Sequence, residues 1–304
     1  MIGVCGLRLT GEEALMLRRH RPLGAILFAR NITDPAQLRA LTGEIRDILG
    51  AETPILVDQE GGRVARLKPP HWRAHPPAAS FENGPASTAQ AEAAVIGAEC
   101  RAVGLDVICA PVLDLRLPEM HKVIGDRAFS ADPDEVIRLG GAWIAGLRQA
   151  GTQPVLKHIP GHGRATLDSH DALPVVTASR AELAQDLAPF RALAANDLWA
   201  MTAHIVYSAL DAERCATLSP GVIDGVIRGE IGFGGFLMSD DLGMRALAGT
   251  PGALALAALE AGCDAVLHCS GVLGESLAVL EACPALTDQA HRRYAASRAP
   301  QKAA

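Results

Sequence analysis

The sequence has no run of lysines or arginines, no apolar stretch long enough to span a bilayer and no Cys-x-x-Cys pair. Each absence removes a class of function. Without a basic cluster, and with a formal net charge of -6, the chain carries no electrostatic footprint for a nucleic acid. Without about 20 consecutive apolar residues it has no candidate transmembrane helix, so no membrane partner is expected. The opening Met1-Ile2-Gly3-Val4-Cys5-Gly6 has neither a basic leader nor an apolar run of signal-peptide length, and a soluble, cytoplasmic protein is the expectation. The 7 cysteines are odd in number and unpaired by spacing, which predicts reduced thiols. Cys109, inside Val107-Ile108-Cys109-Ala110, reads as a small buried hydrophobe.

What is present is an ordinary globular balance, 49% apolar and 20% charged, over 304 residues. Short apolar runs recur at 2–6, 24–28, 54–58, 106–110, 154–158, 199–204, 236–240 and 264–268, separated by helix-length segments. Their continuous rather than alternating apolarity suits strands covered on both faces. Repeated strand-then-helix units predict a closed (β/α)8 barrel of the TIM type, an α/β fold that uses about 250 residues for one domain. A single catalytic domain is therefore assigned to residues 1–304. Asp34-Pro35, Asp132-Pro133 and Ser219-Pro220 each place a polar cap before proline and predict helices running through Leu49, Leu147 and Ile227. The proline-rich stretch 68–85 is expected to be an irregular loop able to contribute to a pocket rim. The last residues, from about 291, have little apolar pattern and are expected to fray.

Catalytic groups of such barrels lie at the C-terminal ends of strands and in the loops that follow. Here those positions hold Asp58, Lys157-His158, His204, Ser239-Asp240-Asp241 and His268. Asp240, nearest its strand end, is placed to point into the barrel mouth, where a carboxylate can attack or stabilise developing positive charge. Asp241, before Leu242-Gly243-Met244, reads more readily as a cap; Gly61-Gly62 gains interest beside Asp58 and Arg63, with a purely structural ion pair as the alternative for Arg63. Between Lys157 and His170 the chain is dense in titratable groups, and the spacing Asp168-x-His170 allows a carboxylate to polarise an imidazole. A solvated loop is the equal alternative for that pair. His162, between two glycines, reads as a loop-shaping residue.

Five segments together resemble glycoside hydrolase family 3, in its bacterial β-N-acetylglucosaminidase branch. They are Val57-Asp58-Gln59-Glu60-Gly61-Gly62-Arg63-Val64, Gly125-Asp126-Arg127-Ala128-Phe129, Lys157-His158-Ile159-Pro160-Gly161-His162-Gly163, Asp168-Ser169-His170 and Ser239-Asp240-Asp241-Leu242-Gly243-Met244. They occur in the family's order and span about residue 20 to 270. The resemblance implies a retaining mechanism in which Asp240 attacks the anomeric carbon to give a covalent glycosyl-enzyme. It makes His170 the acid that protonates the leaving oxygen and the base that later activates water, with Asp168 as its dyad partner. Asp58, Arg66, Arg127, Lys157 and His158 would bind the sugar's hydroxyls and N-acetyl group. The glycines flanking His162 would give the histidine loop latitude to close on substrate.

Ile159 and Gln59 depart from the phenylalanine and histidine common in the family, and neither change removes a catalytic group. The chain's end near the eighth unit leaves no second domain to supply an acid/base carboxylate, which favours the histidine-loop subgroup. The substrate implied is N-acetylglucosaminyl anhydro-muropeptide from cell-wall recycling, handled by a monomer with no cofactor and no metal. Two rivals remain. One is a metal-dependent hydrolase on the same barrel, using His158, His162, His170, His204 and Asp240. The other is a sugar-binding protein without turnover. Adjacent residues on a regular strand face opposite ways, so Lys157 and His158 can share one site only if that strand end is irregular.

Overall fold

The computed structural model describes residues 1–118, 122–169 and 172–298. Eight parallel strands follow the sequence order: Ile2–Gly3, Ala25–Leu27, Ile55–Val57, Val107–Ile108, Gln153–Ile159, Trp199–Thr202, Phe236–Asp241 and Ala265–Leu267. A bridge between Ile2 and His268 joins the last strand to the first, with Gly3 N donating to His268 O at 2.8 Å, so the sheet closes into the expected barrel. A short parallel ribbon pairs Val175–Val176 with Val206–Tyr207 outside it.

Continuous apolarity arises because both faces of each strand are buried. Ile26, Leu56, Val107, Val155, Trp199 and Phe236 pack together inside the barrel. Their neighbours Ala25, Ile55, Ile108, Leu156, Ala200 and Leu237 join the outer core with Leu41 and Ile45 of helix Pro35–Leu49 and Trp143 of helix Pro133–Gln149. The predicted caps are present. Asp34 Oδ1 accepts from Ala36 N and Gln37 N at 2.8 and 3.0 Å, and Asp132 Oδ1 accepts from Asp134 N at 3.0 Å. Ser219 Oγ accepts from Val222 N at 3.1 Å ahead of Gly221–Glu230, which is a π-type helix three residues longer than its apolar pattern indicates.

Two expectations change. The terminal stretch does not fray at 291: residues Asp288–Arg298 form a helix across the N-terminal end of the barrel. Tyr294 packs on Trp199 and Phe236, Trp199 Nε1 donates to Ser297 Oγ at 2.7 Å, and Arg293 and Arg298 pair with Asp264 and Asp106. Those partners are remote in sequence, so local apolarity gave no sign of them. The loop after the third strand is irregular apart from a 3-10 turn at Ala78–Phe81, but residues 68–85 do not line the central cavity; they pack behind the Gly61–Gly62 turn. Among the described residues no helix is long and apolar enough to cross a membrane, and all 7 cysteines are unpaired.

Candidate active site

The C-terminal ends of the strands surround a cavity of about 300 Å³, at the lower end of the range for small-molecule sites. Of the residues singled out from the sequence, Asp58, Arg66, Arg127, Lys157, His158, Asp168 and Asp240 all line it. His170 lies outside the described residues. Phe28, Met201, Met244 and Leu267 supply apolar wall.

The third strand delivers Asp58 and then Glu60. Gly61 has φ of +95°, and a Cβ there would meet Pro76 O at 2.3 Å, so only glycine permits the turn that sends the chain back toward Arg66. Gln59 braces this return: its Oε1 accepts from Arg66 N and Leu67 N at 2.7 and 3.0 Å. The residue that departs from the family pattern therefore fixes the backbone carrying Arg66. Arg63 lines the cavity and also makes a structural ion pair, lying 3.0 Å from Asp126 and donating to Lys122 O and Ile124 O. It thereby holds the short Gly125–Arg127 turn that presents Arg127.

The half-buried Asp58 and the buried Glu60 meet three cations. Lys157, only 2% exposed, places Nζ 2.9 Å from Asp58 Oδ1 and 2.6 Å from Glu60 Oε1. Arg127 grips Glu60 in bidentate fashion, both bonds 2.8 Å, and Arg66 Nη2 lies 3.2 Å from Asp58 Oδ2. Burial would raise the Asp58 carboxyl, but Lys157 and Arg66 outweigh it and hold it well below the usual range. Glu60 is lowered against its burial in the same way by Arg127 and Lys157, while burial's downward push on Lys157 is overcome by Asp58 and Glu60. The cluster is thus a fixed, fully ionised array of donors and acceptors, suited to hydroxyl and amide groups.

Lys157 and His158 both reach the cavity because the fifth strand is irregular there. Lys157 pairs with Met201 and Ile159 with Thr202, leaving His158 outside the ladder. His158 is then fixed by Asp114, which follows the fourth strand: Asp114 Oδ2 lies 2.7 Å from Nδ1, and Oδ1 accepts from His158 N and His162 N at 3.1 and 2.6 Å. A carboxylate at Nδ1 assigns the ring proton to that nitrogen. His162 is buried, and burial followed by its neighbour His158 pushes it down to about 4, so it is neutral near pH 7.

The glycines beside His162 do not loosen the loop. A Cβ at Gly161 would meet Asp186 Cβ at 2.9 Å, and Gly161 O accepts from Tyr207 Oη at 2.7 Å. Arg164 is paired with Asp186 at 2.6 Å. Glycine here allows close packing, and the base of the histidine loop is pinned.

Asp240 ends the seventh strand. Burial raises its carboxyl, but His204, His158 and the Asp241 N–H, 2.8 Å from Oδ1, together lower it. His204, just past the sixth strand, is held by Thr217 Oγ1 at Nδ1 and donates from Nε2 to Asp241 O at 3.0 Å. Asp241 is a local cap, its Oδ1 accepting from Gly243 N and Cys269 N at 2.9 Å each. Among the described residues no three His, Cys, Asp or Glu side chains are grouped to hold a metal ion; of the histidines in the metal reading, His158 has Nδ1 at Asp114 and His204 has both ring nitrogens engaged by Thr217 and Asp241 O.

A barrel with ionised carboxylates and buried cations converging on one small cavity invites comparison with known proteins. The glycosyl hydrolase family 3 N terminal domain matches residues 2–295. The chain belongs to glycosyl hydrolase family 3. It is 45% identical over 283 residues to a β-hexosaminidase of Alkalilimnicola ehrlichii, covering 89% of this chain and 80% of that protein. Among solved structures it resembles NagZ from Neisseria gonorrhoeae in complex with N-trifluoroacetyl-D-glucosamine, with a TM-score of 0.88 and 35% identity over 98% of this chain and 88% of that one. It is also similar to a family 3 β-N-acetylglucosaminidase from Paenibacillus sp., with a TM-score of 0.87 and 35% identity over 98% of this chain; it spans 59% of that longer protein.

Glu60 and Asp114, which hold Lys157, Arg127 and His158 in place, and the position of His204 beside Asp240 were not singled out from the sequence. Glu60 stood in a quoted motif and His204 at a strand end. Asp114 offered one signal, an aspartate shortly after an apolar strand, as at Asp58 and Asp240.

Proposed function

We propose that this family 3 hydrolase is a retaining exo-β-N-acetylglucosaminidase that removes terminal β-linked N-acetylglucosamine from peptidoglycan fragments, anhydro-muropeptides among them, during cell-wall recycling. The observation that carries the reading is the convergence of Asp240 with Asp58, Arg66, Arg127, Lys157, His158 and Asp168 on one cavity. The ligand of the gonococcal relative, an N-acylated glucosamine, supports the sugar class, and the unpaired thiols suit the cytoplasm. The enzyme is proposed to act as a monomer.

In the proposed reaction Asp240 attacks the anomeric carbon while His170, oriented by Asp168, protonates the glycosidic oxygen. The aglycone departs, leaving a glycosyl ester on Asp240. His170 then takes a proton from water, which attacks the same carbon and regenerates the carboxylate with net retention. The cluster around Asp58 and Lys157 orients the sugar through ionised groups already fixed by one another, so little reorganisation accompanies binding.

The test is hydrolysis of an aryl N-acetyl-β-glucosaminide beside the matching aryl β-glucoside, each with and without a strong chelator. Rapid, chelator-insensitive release from the N-acetyl substrate alone is expected. Chelator-sensitive release would favour the metallohydrolase, and silence on both would favour a binding protein. His170→Ala is expected to slow substrates with poor leaving groups by about 10²–10⁴-fold, the usual range for a lost general acid, and activated aryl glycosides far less. Equal losses on both would remove His170 from the acid role.

A further inference from the structure

A second cluster of titratable groups lies outside the cavity. The His75 side chain is fully buried, with Nδ1 2.6 Å from Glu92 Oε1 and Nε2 3.0 Å from Glu99 Oε2. Arg73 Nη2 adds a contact to Glu92 at 3.6 Å. Both glutamates lie on helix Ala86–Arg101, seven positions and so about two turns apart on one face. The imidazole bridges them with its two ring nitrogens, and Arg73 adds a cation beside Glu92. The helix is itself fixed: at Gly146 of the adjoining helix Pro133–Gln149 a Cβ would meet Gln90 O at 2.2 Å.

The backbone of His75 faces the other way. His75 O accepts from Gly62 N at 2.9 Å, and the next two residues wall in the turn, Pro76 O at 2.3 Å from a Cβ placed on Gly61 and Pro77 Cβ at 2.7 Å from one placed on Gly62. That turn joins Asp58 and Glu60 to the segment carrying Arg66. A continuous set of contacts therefore runs from helix Ala86–Arg101 through His75 and the Gly61–Gly62 turn to the groups paired with Lys157 and Arg127. We infer that His75, clamped between Glu92 and Glu99, is a positioning residue for sugar binding that sets the placement of Asp58, Glu60 and Arg66 without touching substrate.

Several alternatives would anchor this loop equally for stability alone, an apolar side chain among them. A clamp at both ring nitrogens differs in fixing direction as well as contact, since each nitrogen must face its own carboxylate. Loss of the clamp should let the turn relax and weaken ground-state sugar binding, while Asp240 and His158, which hang on other strands, keep their places. The signature is a rise in KM with kcat little changed. Partial unfolding would do the opposite, lowering apparent kcat through fewer active molecules at constant KM.

The inference rests on the activity proposed above, and the same assay separates the two. With the aryl N-acetyl-β-glucosaminide, His75→Ala is expected to raise KM, and the inhibition constant of free N-acetylglucosamine, by about tenfold, with kcat within about threefold of wild type. Glu99→Ala should follow it. Glu99→Gln keeps an acceptor oxygen for Nε2 and should hold KM within about twofold. If His75→Ala fails to fold, the Glu99 pair carries the same comparison. An unchanged KM in His75→Ala, or in Glu99→Ala where that variant stands in, overturns the inference while leaving the activity intact. A wild-type enzyme silent on this glycoside overturns the activity, and the inference with it.

Discussion

Asp240→Ala is expected to lower kcat on the aryl N-acetyl-β-glucosaminide by at least about 10⁴-fold, equivalent to about 5 kcal/mol of transition-state stabilisation. The carboxylate sits at a strand end in a cavity with no equivalent nucleophile on that strand, because Asp241 is committed to the Gly243 and Cys269 amides. Folding should be nearly unaffected. Asp240 has one local hydrogen bond, to Asp241 N, and its burial disfavours the charged form, so removing it relieves a cost as well as a contact. Circular dichroism and a thermal scan would verify the fold. Rapid quenching of the wild-type enzyme should show a glycosyl adduct on the peptide that contains Asp240, absent from the variant. A loss below about 10²-fold, or an adduct on another peptide, would transfer the nucleophile's role elsewhere.

Lys157→Met is expected to destabilise the protein by about 3–5 kcal/mol at pH 7, the usual effect of removing one partner from a buried ionic group. Methionine keeps most of the aliphatic stem, so the change isolates the charge. Asp58 and Glu60 would then share a buried site with Arg66 and Arg127 alone, and Asp58 would keep a single, longer ion pair at 3.2 Å. The pH dependence follows from the direction of the shifts. Both carboxyls lie below their unfolded values of about 4 in the native protein. Their pairing therefore contributes stability that is fully present above about pH 4 and lost as pH falls toward the folded values. The wild-type denaturation midpoint should begin to fall below about pH 6.5, where the unfolded chain protonates His162 and His204 and the native protein resists it, and the deficit of Lys157→Met should hold through that range and shrink only below about pH 4. A deficit that stays constant down to pH 3 would mean that Lys157 acts through packing. The variant should also bind N-acetylglucosamine more weakly, since Asp58, proposed to contact the sugar, loses the anchor it shares with Glu60.

The positions of Asp58, Lys157 and Asp240 were legible because a parallel barrel imposes a simple rule: a continuous apolar run must end where the strand leaves the core, and polar residues there face the mouth. Glu60 was less visible. It sits two residues beyond its strand, and whether it turns inward depends on the Gly61 conformation and on Pro76 behind it. Asp114 was hidden for a similar reason, since its partners His158 and His162 come from the next strand and loop.

By itself the sequence determined the eight strands, the capped helices and the family, because these depend on local apolarity, on polar residues placed before proline and on motifs whose order survives without coordinates. Only the tertiary structure decided that the fifth strand slips at His158 so that Lys157 and His158 share one cavity, that the proline-rich loop braces the site from behind, and that Asp288–Arg298 seals the barrel as a helix. Each of these is settled by contacts between residues tens to hundreds of positions apart, whose free energy outweighs the local preferences that a sequence displays.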